Sequence, residues 1–314
     1  MKKVTLVNCF LIRKVTTISK EFLFFGVLAA WLCPPTNGFS KNLYFQDVTL
    51  SAEIEKVSTN SVSFSDIDGD GLVDLAIEGR LYKNLSTKEV IKFSEITSDV
   101  GLSSMRGHPI LADLNNDHLV DIVTTHGQVF LQTRNRFFLE KSLELGLKHV
   151  KIPVEIMTVS IGDFNRDGWP DIIFGMAEKY EKNQFHHFAP LFFKNVSGSY
   201  FVNVSDELFL QNTKAYTRGI SWVDFDNDSS LEIYASNYRL NRNFLWKKSN
   251  GKYNEIAERL SIQGEFNPAK FVDDITNQTY GPQYGHSLGS TWADYDNDGF
   301  FDLWVSKLAH KFVG

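Results

Sequence analysis

The chain has 314 residues, of which 43% are apolar and 14% aromatic, and a formal net charge of −6 at pH 7. This composition is that of a globular protein with a large core and excludes a disordered chain. An isoelectric point of about 5.8 and the lack of a Lys/Arg-rich run argue against a nucleic-acid partner. The two cysteines are Cys9 and Cys33. A chain without its first 38 residues would therefore have no cysteine for catalysis, zinc binding or disulfides.

The N-terminus has the pattern of an export signal. Five basic residues precede an apolar run from Phe22 to Cys33, which ends at two prolines. The run is shorter than the ~20 residues of a membrane-spanning helix, but it suits the apolar part of a signal peptide. We predict a signal peptide over residues 1–38, with an uncleaved signal anchor as the alternative, and one domain over residues 39–314. The protein would then be secreted or exposed at the cell surface.

An acidic segment recurs five times along the chain. The copies follow the pattern apolar-x-Asp-apolar-Asp/Asn-x-Asp-Gly-x-x-Asp-apolar-x-apolar and begin at Phe64, Leu111, Ile161, Trp222 and Trp292. Repeats of about 50 residues are typical of propellers and related arrays. The repeat therefore decides the expected fold.

Strand-like runs joined by polar turns lie between the acidic segments. Those that begin at Leu81, Leu191 and Asn243 alternate apolar and polar residues on both sides of a turn such as Ser197-Gly198. Each unit reads strand, acidic loop, strand, turn, strand, turn, strand, which is one propeller blade. We predict an all-β protein, a β-propeller of about five four-stranded blades with the last incomplete. The segment from Leu43 is predicted to be a lone strand that closes a blade.

The acids of each loop are spaced as ligands of one calcium ion. Ca²⁺ takes about six to eight oxygens from carboxylates, amides and backbone carbonyls, and acids at alternate positions of a curled loop converge on one point. This all-oxygen set argues against zinc or copper. The predicted ligands, at loop positions one, three, five, seven (carbonyl) and nine, are Asp66, Asp68, Asp70, Leu72 and Asp74; Asp113, Asn115, Asp117, Leu119 and Asp121; Asp163, Asn165, Asp167, Trp169 and Asp171; Asp224, Asp226, Asp228, Ser230 and Glu232; and Asp294, Asp296, Asp298, Phe300 and Asp302. We expect up to five structural ions.

Two loops depart from the pattern. His118 and Ser229 stand where the other loops have glycine, and a side chain in a left-handed conformation carries a cost. Glu232 also replaces the last aspartate of the fourth loop. We expect weaker binding in these two loops.

Polar turns and EF-hands are the alternatives to this kind of metal loop. A single Asp/Asn/Gly cluster is more often a polar turn, but turns do not require acids at fixed positions in five copies. EF-hands need an acid at the last loop position and flanking helices. That position is occupied by Ile77, Thr124, Phe174, Ala235 and Val305, so EF-hands are excluded.

The loops resemble the FG-GAP calcium repeats of integrin α-subunit propellers and the wider VCBS group. The segment GHSLGSTWADYDNDGFFDLWVS from Gly285, LYKN from Leu81 and the strand from Phe45 to Thr49 are most similar to the cartilage acidic protein and ASPIC/UnbV family. The resemblance covers roughly residues 43–310. It implies an extracellular propeller with structural calcium, which in that family is usually followed by a UnbV-type region.

The expected function is that of a binding or adhesion module for an extracellular protein or glycan. Two insertions, Ala177 to Pro190 and Ser261 to Leu288, lengthen their units, and insertions of this kind often form a binding face. The alternative is a calcium-assisted enzyme that resembles polysaccharide lyases, for which the candidates are His186, His187 and His286. No pair of these histidines has a spacing that predicts catalysis.

Glycosylation is expected if a eukaryotic cell exports the chain. Sequons occur at Asn84, Asn195, Asn203, Asn227 and Asn277. Asn227 lies inside an acidic loop, where a glycan is not expected.

Overall fold

The computed structural model describes residues 47–55, 61–149, 151–208, 213–249, 251–264, 266–267, 271–272, 279–280 and 283–308. The predicted export signal lies outside these residues. The described chain is built of β-strands, with one 3-10 turn at Leu147–His149. No helix in this part of the chain is long and apolar enough to cross a membrane.

Two four-stranded antiparallel sheets come first, each with its strands in chain order. Sheet A contains β1 (Ser63–Ser65), β2 (Asp74–Ile77), β3 (Arg80–Asn84) and β4 (Phe93–Glu95). Sheet B contains β5 (Pro109–Ala112), β6 (Asp121–Thr124), β7 (Val129–Gln132) and β8 (Phe138–Glu140).

Two further four-stranded sheets follow, and each is accompanied by small hairpins. Sheet C begins with β9 (Ile156–Gly162) and β10 (Asp171–Met176); a separate hairpin of β11 (Lys179–Glu181) and β12 (Gln184–His186) precedes its last strands, β13 (Leu191–Val196) and β14 (Tyr200–Asn203). Sheet D contains β15 (Tyr216–Val223), β16 (Glu232–Tyr238), β17 (Phe244–Ser249) and β18 (Lys252–Glu255). The short strands β19 (Phe266–Asn267), β20 (Phe271–Val272), β21 (Thr279–Tyr280) and β22 (Gln283–Tyr284) pair as β19–β22 and β20–β21. Sheet E consists of β23 (Ser287–Ala293) and β24 (Asp302–Lys307).

The predicted unit of four strands around an acidic loop is confirmed for sheets A to D. In each of them the acidic loop joins the first strand to the second, and the fifth loop joins β23 to β24. Ser197 and Gly198 both have positive φ, at 52° and 69°, as the tightest hairpin turn requires. The all-β class and the order of elements were therefore readable from the repeat.

The predicted lone strand is wrong in its described part. Asp47 and Val48 belong to no strand, and Thr49 to Glu53 form a turn, in which the Ala52 N–H donates to the Val48 carbonyl at 2.8 Å. The segment then attaches to sheet A, because the Phe93 N–H donates to the Ala52 carbonyl at 2.8 Å. The beginning of the predicted strand lies outside the described residues.

The core consists of layers between successive sheets. Separate apolar clusters join sheets A and B, B and C, and C and D, and Tyr234 and Leu245 of sheet D pack on Leu303 and Val305 of sheet E. The second strands of sheets A to D are therefore covered on both faces, which explains their nearly continuous apolar sequences. In β10, Ile172 faces sheet B and Ile173 faces sheet D.

The first strands of successive sheets are neighbours. β1 lies against β5, β5 against β9, β9 against β15, and β15 against β23. The Ser63 hydroxyl donates to the Pro109 carbonyl at 2.7 Å, which ties β1 to β5. At Gly162 of β9, an added Cβ would lie 2.7 Å from the indole of Trp222 in β15. A small residue is therefore required where these strands pack.

Substitution of Gly162 tests this packing. We expect Gly162→Ala to lower the free energy of unfolding by about 1–3 kcal/mol, because the new methyl group clashes with the Trp222 ring. Urea unfolding in calcium buffer measures the change. Gly285→Ala is the matched control, since an added Cβ there meets no atom within 4 Å, and equal effects of the two substitutions would contradict the prediction.

Candidate metal centres

The five acidic loops share one backbone conformation. The sixth position has positive φ in all of them, as expected from glycine at three of these positions: Gly71 (85°), His118 (66°), Gly168 (86°), Ser229 (68°) and Gly299 (90°). The fourth position is also left-handed in every loop: Gly69 (73°), Asn116 (56°), Arg166 (61°), Asn227 (56°) and Asn297 (62°). Sequence reasoning missed this second turn, although glycine or asparagine at four of the five positions signals it.

The carboxylates are held inside each loop by backbone N–H groups. The first-position carboxylate accepts from the sixth-position N–H at 2.7–3.0 Å in all five loops. The fifth-position carboxylate accepts from the seventh-position N–H at 2.8–3.1 Å. The first- and fifth-position carboxylates are therefore held within the loop in all five copies.

Three loops bring three carboxylates together closely enough to hold one metal ion. One oxygen from each residue lies within 4.8 Å of the others in the sets Asp66, Asp68 and Asp70; Asp224, Asp226 and Glu232; and Asp294, Asp296 and Asp302. In the second and third loops the third position is an asparagine, whose amide donates to the fifth-position aspartate. Binding by the individual predicted ligands, the seventh-position carbonyls included, stays a prediction.

The ninth-position carboxylate joins the loop to the rest of its sheet. One of its oxygens accepts from the second-position N–H: Ile67 to Asp74 at 2.9 Å, Leu114 to Asp121 at 3.0 Å, and Phe164 to Asp171 at 3.1 Å. The other accepts from an N–H of the third strand: Asn84, Gln132 and Asn195, at 2.7–2.8 Å. These three aspartates are buried, and they fix the loop against the sheet.

Burial makes these carboxylates unfavourable as anions. It raises the pKa of Asp121 and of Asp171 to about 7, against hydrogen bonds from two backbone N–H groups that lower it. The carboxylates at the first and fifth positions of the same loop raise the pKa further by repulsion. A bound cation would relieve both effects, because it compensates the buried charge and separates the like charges.

The pH dependence of stability follows from these shifts. An aspartate whose folded pKa is about 7, against 3.8 as its ordinary value, contributes stability below pH 3.8 that is lost as the pH rises towards 7. With a chelator present, we expect the melting temperature to fall between pH 5 and pH 7.5. Saturating calcium should reduce this fall, and Asp121→Asn should weaken it. A melting temperature that rises over this range in chelator would contradict the prediction.

Lysines from the third strands reach into three of the loops. Four positions of the third strands are equivalent, because the residue directly before each one pairs with the same position of the second strand. The equivalent positions are Lys83, Leu131, Lys194 and Lys247, and the second-strand residues that define them are Leu75, Ile122, Ile172 and Ile233. The Lys247 ammonium lies 2.8 Å from Asp226, 2.7 Å from Asp228 and 3.1 Å from Glu232. Lys83 pairs with Asp68 and Asp70, and Lys194 lies 3.6 Å from Asp167. The second loop has Leu131 in place of a lysine.

A metal ion in the fourth loop would compete with Lys247 for the carboxylates of that loop. We expect Lys247→Met to lower the free energy of unfolding in chelator by about 3–5 kcal/mol, since it leaves Glu232, whose side chain is 0% exposed, without its cation. Added calcium should recover much of this loss. Chemical unfolding with and without calcium measures both effects.

Lys194→Met is the matched control for that substitution. Its single, longer contact with Asp167 is at the surface, so the expected loss is below about 1 kcal/mol. Equal losses in the two variants would show that Lys247 has no special place in the fourth loop.

Side chains link each sheet to the loop of the sheet before it. The amide of Gln132 donates to the Ile67 carbonyl at 3.2 Å, and that of Asn195 donates to the Leu114 carbonyl at 2.8 Å. Lys248 reaches the Phe164 carbonyl at 3.4 Å. Adjacent loops also touch: Asn116 donates to the Gly168 carbonyl and Asn227 to the Gly299 carbonyl, both at 2.8 Å. Neighbouring acidic loops therefore lie at the same end of the sheets.

Hydrogen bonds made by asparagines of the sequons bear on the expectation that these residues carry glycans. Asn195 is buried and its amide donates to two carbonyls, so a glycan does not fit there. Asn84 donates to the Val73 carbonyl at 2.8 Å. Asn277 lies outside the described residues.

The two insertions meet at the opposite end of sheet D. His187, just after hairpin β11–β12, has its Nδ1 2.9 Å from the Asn241 side-chain oxygen. Tyr284 of β22 donates its N–H to the Leu240 carbonyl at 3.3 Å. Both insertions thus border the turn between β16 and β17.

The candidate histidines differ in their surroundings. His186 is exposed, while burial lowers the pKa of His187, against the hydrogen bond to Asn241 that raises it. His286 packs on Tyr238 with ring centroids 4.7 Å apart. His187 and His286 therefore border the same turn region, which the sequence did not show.

The described part of this chain is an all-β protein of repeated four-stranded antiparallel sheets, and three of its five acidic loops bring together carboxylates that could hold a metal ion. Its curated relatives are distant. Cartilage acidic protein 1 of Mus musculus is 23% identical over 258 residues, covering 78% of this chain and 35% of that protein. Cartilage acidic protein 1 of Xenopus tropicalis is 24% identical over 296 residues, covering 86% and 42%. The chain thus spans less than half the length of the curated relatives that it matches.

Comparisons with family models and with solved structures do not assign the chain to a more specific class. No family model matches the chain, so the FG-GAP assignment stays a prediction. A solved structure of an Agrocybe aegerita lectin that recognises non-reducing terminal N-acetylglucosamine matches 77% of this chain and 64% of its own chain, with 13% identity and a TM-score of 0.38. A likeness at this level carries no inference about fold or ligand.

Proposed function

We propose that this chain is an extracellular β-propeller of FG-GAP-type blades, braced by calcium, that acts as a binding module for a protein or a glycan. The recurrence of one loop backbone in all five units, with converging carboxylates in three of them, carries the proposal. Successive sheets with neighbouring first strands are the arrangement that blades have around a common axis.

Calcium is the ion that these loops suit best. Every predicted ligand is an oxygen, and the loops are exposed and irregular, as calcium's flexible coordination tolerates. Magnesium demands a stricter octahedral shell, and zinc favours histidine and cysteine. The distant similarity to cartilage acidic protein 1 and the signal-like N-terminus support an extracellular location.

The two ends of the sheets would then have different roles. The acidic loops lie at one end of β15 and β16, and the insertions lie at the other. The calcium ions would stabilise the fold, while the insertions at the far end would contact the partner. On this proposal calcium is structural, and loss of calcium abolishes binding only through unfolding.

Calcium-dependent unfolding tests the proposal. We expect the purified protein to hold about three to five calcium ions and to melt at a clearly higher temperature in calcium than in chelator. Metal analysis and thermal unfolding measure the two quantities, and magnesium at equal concentration is the control. Absence of bound metal together with no calcium-dependent shift would show that the loops are only turns.

A further inference from the structure

A cluster of aromatic and charged side chains lies between the insertions, at the end of sheet D far from the acidic loops. We call Glu178, Tyr216, Arg218, Tyr238 and Arg239 the Tyr–Arg cluster. Arg218 lies between two tyrosines, with its guanidinium carbon 4.7 Å from the Tyr216 ring centroid and 4.8 Å from that of Tyr238. The two rings meet edge to face at 5.6 Å.

The two tyrosine rings hold Arg218 in place, but the buried Nε of Arg218 has no hydrogen-bond acceptor. Among the described residues, this atom has no hydrogen-bond partner. Stacking between two rings fixes the plane of the guanidinium, which lowers the entropy lost when it binds a ligand. A buried donor without an acceptor is costly, so the hydrogen bonds within the cluster do not satisfy Arg218, and the residue as a whole is only half-buried.

The charge of the cluster is positive. Glu178 pairs directly with Arg239, and its carboxylate lies 3.7 Å from Nε2 of His187. Burial lowers the pKa of His187, which favours the neutral imidazole at neutral pH. The two guanidinium groups of Arg218 and Arg239 therefore outnumber the carboxylate of Glu178, which leaves the cluster with a surplus positive charge. Glu155, which also acts on Tyr216, is exposed to solvent, so water screens its charge.

Exposed aromatic rings stand on both insertions beside the cluster. Tyr180 of hairpin β11–β12 is 47% exposed and packs on Phe185, whose ring lies 4.4 Å from the Arg239 guanidinium carbon. Phe266 of β19 is 52% exposed and packs on Tyr284. Flat apolar rings next to a fixed polar group are typical of ligand sites.

We propose that the Tyr–Arg cluster binds the carboxylate of an acidic sugar unit in an extracellular glycan. Arg218 would pair with the carboxylate through its planar fork, and the rings on the insertions would cover the apolar face of the sugar. The inference rests on the proposed binding function and gives it a ligand class. A sugar acid suits the site better than a neutral glycan because of the surplus guanidinium.

A pair of matched ligands tests this inference on the full chain in calcium buffer. The probes are a hyaluronan hexasaccharide and the same hexasaccharide with its carboxylates reduced to alcohols, titrated by calorimetry. We expect the acidic form to bind at least about tenfold more tightly, as one charge-assisted hydrogen bond supplies. A tetraglutamate peptide is the third probe.

Variants locate the site. We expect Arg218→Gln to weaken binding of the acidic hexasaccharide about tenfold or more, and Arg218→Lys to weaken it less. Phe266→Ala, at an exposed position that leaves the core intact, should also weaken binding. Arg134→Gln is the matched control, because Arg134 is exposed on the turn between β7 and β8 of sheet B.

The outcomes separate this inference from the proposed function. Equal binding of the two hexasaccharides, binding of tetraglutamate alone, no binding of any probe, or unchanged binding by both Arg218→Gln and Phe266→Ala would overturn it. Calcium content and calcium-dependent melting are measured on the same samples. If those hold while sugar binding fails, the calcium-braced propeller survives and only the ligand class is lost.

Discussion

A buried carboxylate at the ninth position of the first three acidic loops holds three parts of a sheet together. In sheets A to C it sits at the start of the second strand, accepts an N–H from the loop and accepts another from the third strand. Such a group is stable as an anion only if hydrogen bonds or a cation offset its desolvation. The apolar layers on both faces of the sheet exclude water from the carboxylate, so the stability of the fold and the charge of the loop cannot be separated.

Backbone N–H groups and lysine side chains both offset the negative charge of the acidic loops. The backbone supplies N–H groups by turning left-handed at the fourth and sixth loop positions in every copy. The third strand supplies an ammonium group in sheets A, C and D, and this group reaches three carboxylates in sheet D alone. The five loops are thus alike in shape but unequal in how much of their charge the protein itself neutralises. A bound metal ion would therefore neutralise a different amount of negative charge in each loop.

The sequence predicted the strands and the loops because both depend on local pattern. Alternation such as that around Ser197-Gly198 marks hairpins, and the spacing of Asp66, Asp68 and Asp70 marks a curled loop. The wrong strand at Asp47 to Leu50 has the same apolar pattern, but turn hydrogen bonds decide its conformation. The sequence could not predict the contact between Arg218 and Tyr238 or the contact of both insertions with one turn. Both depend on packing between residues far apart in the chain.

The side-chain links that start from the third strands all run in one direction. Gln132, Asn195 and Lys248 each extend from the third strand of a sheet back to the loop of the sheet before it. The loops of sheets A, B and C are therefore each contacted by the third strand of the sheet that follows. Local opening of one sheet would free the acidic loop on its N-terminal side from its third-strand contact. Through these contacts alone, loss of order would spread towards the N-terminus, a direction that the symmetry of the repeats does not suggest.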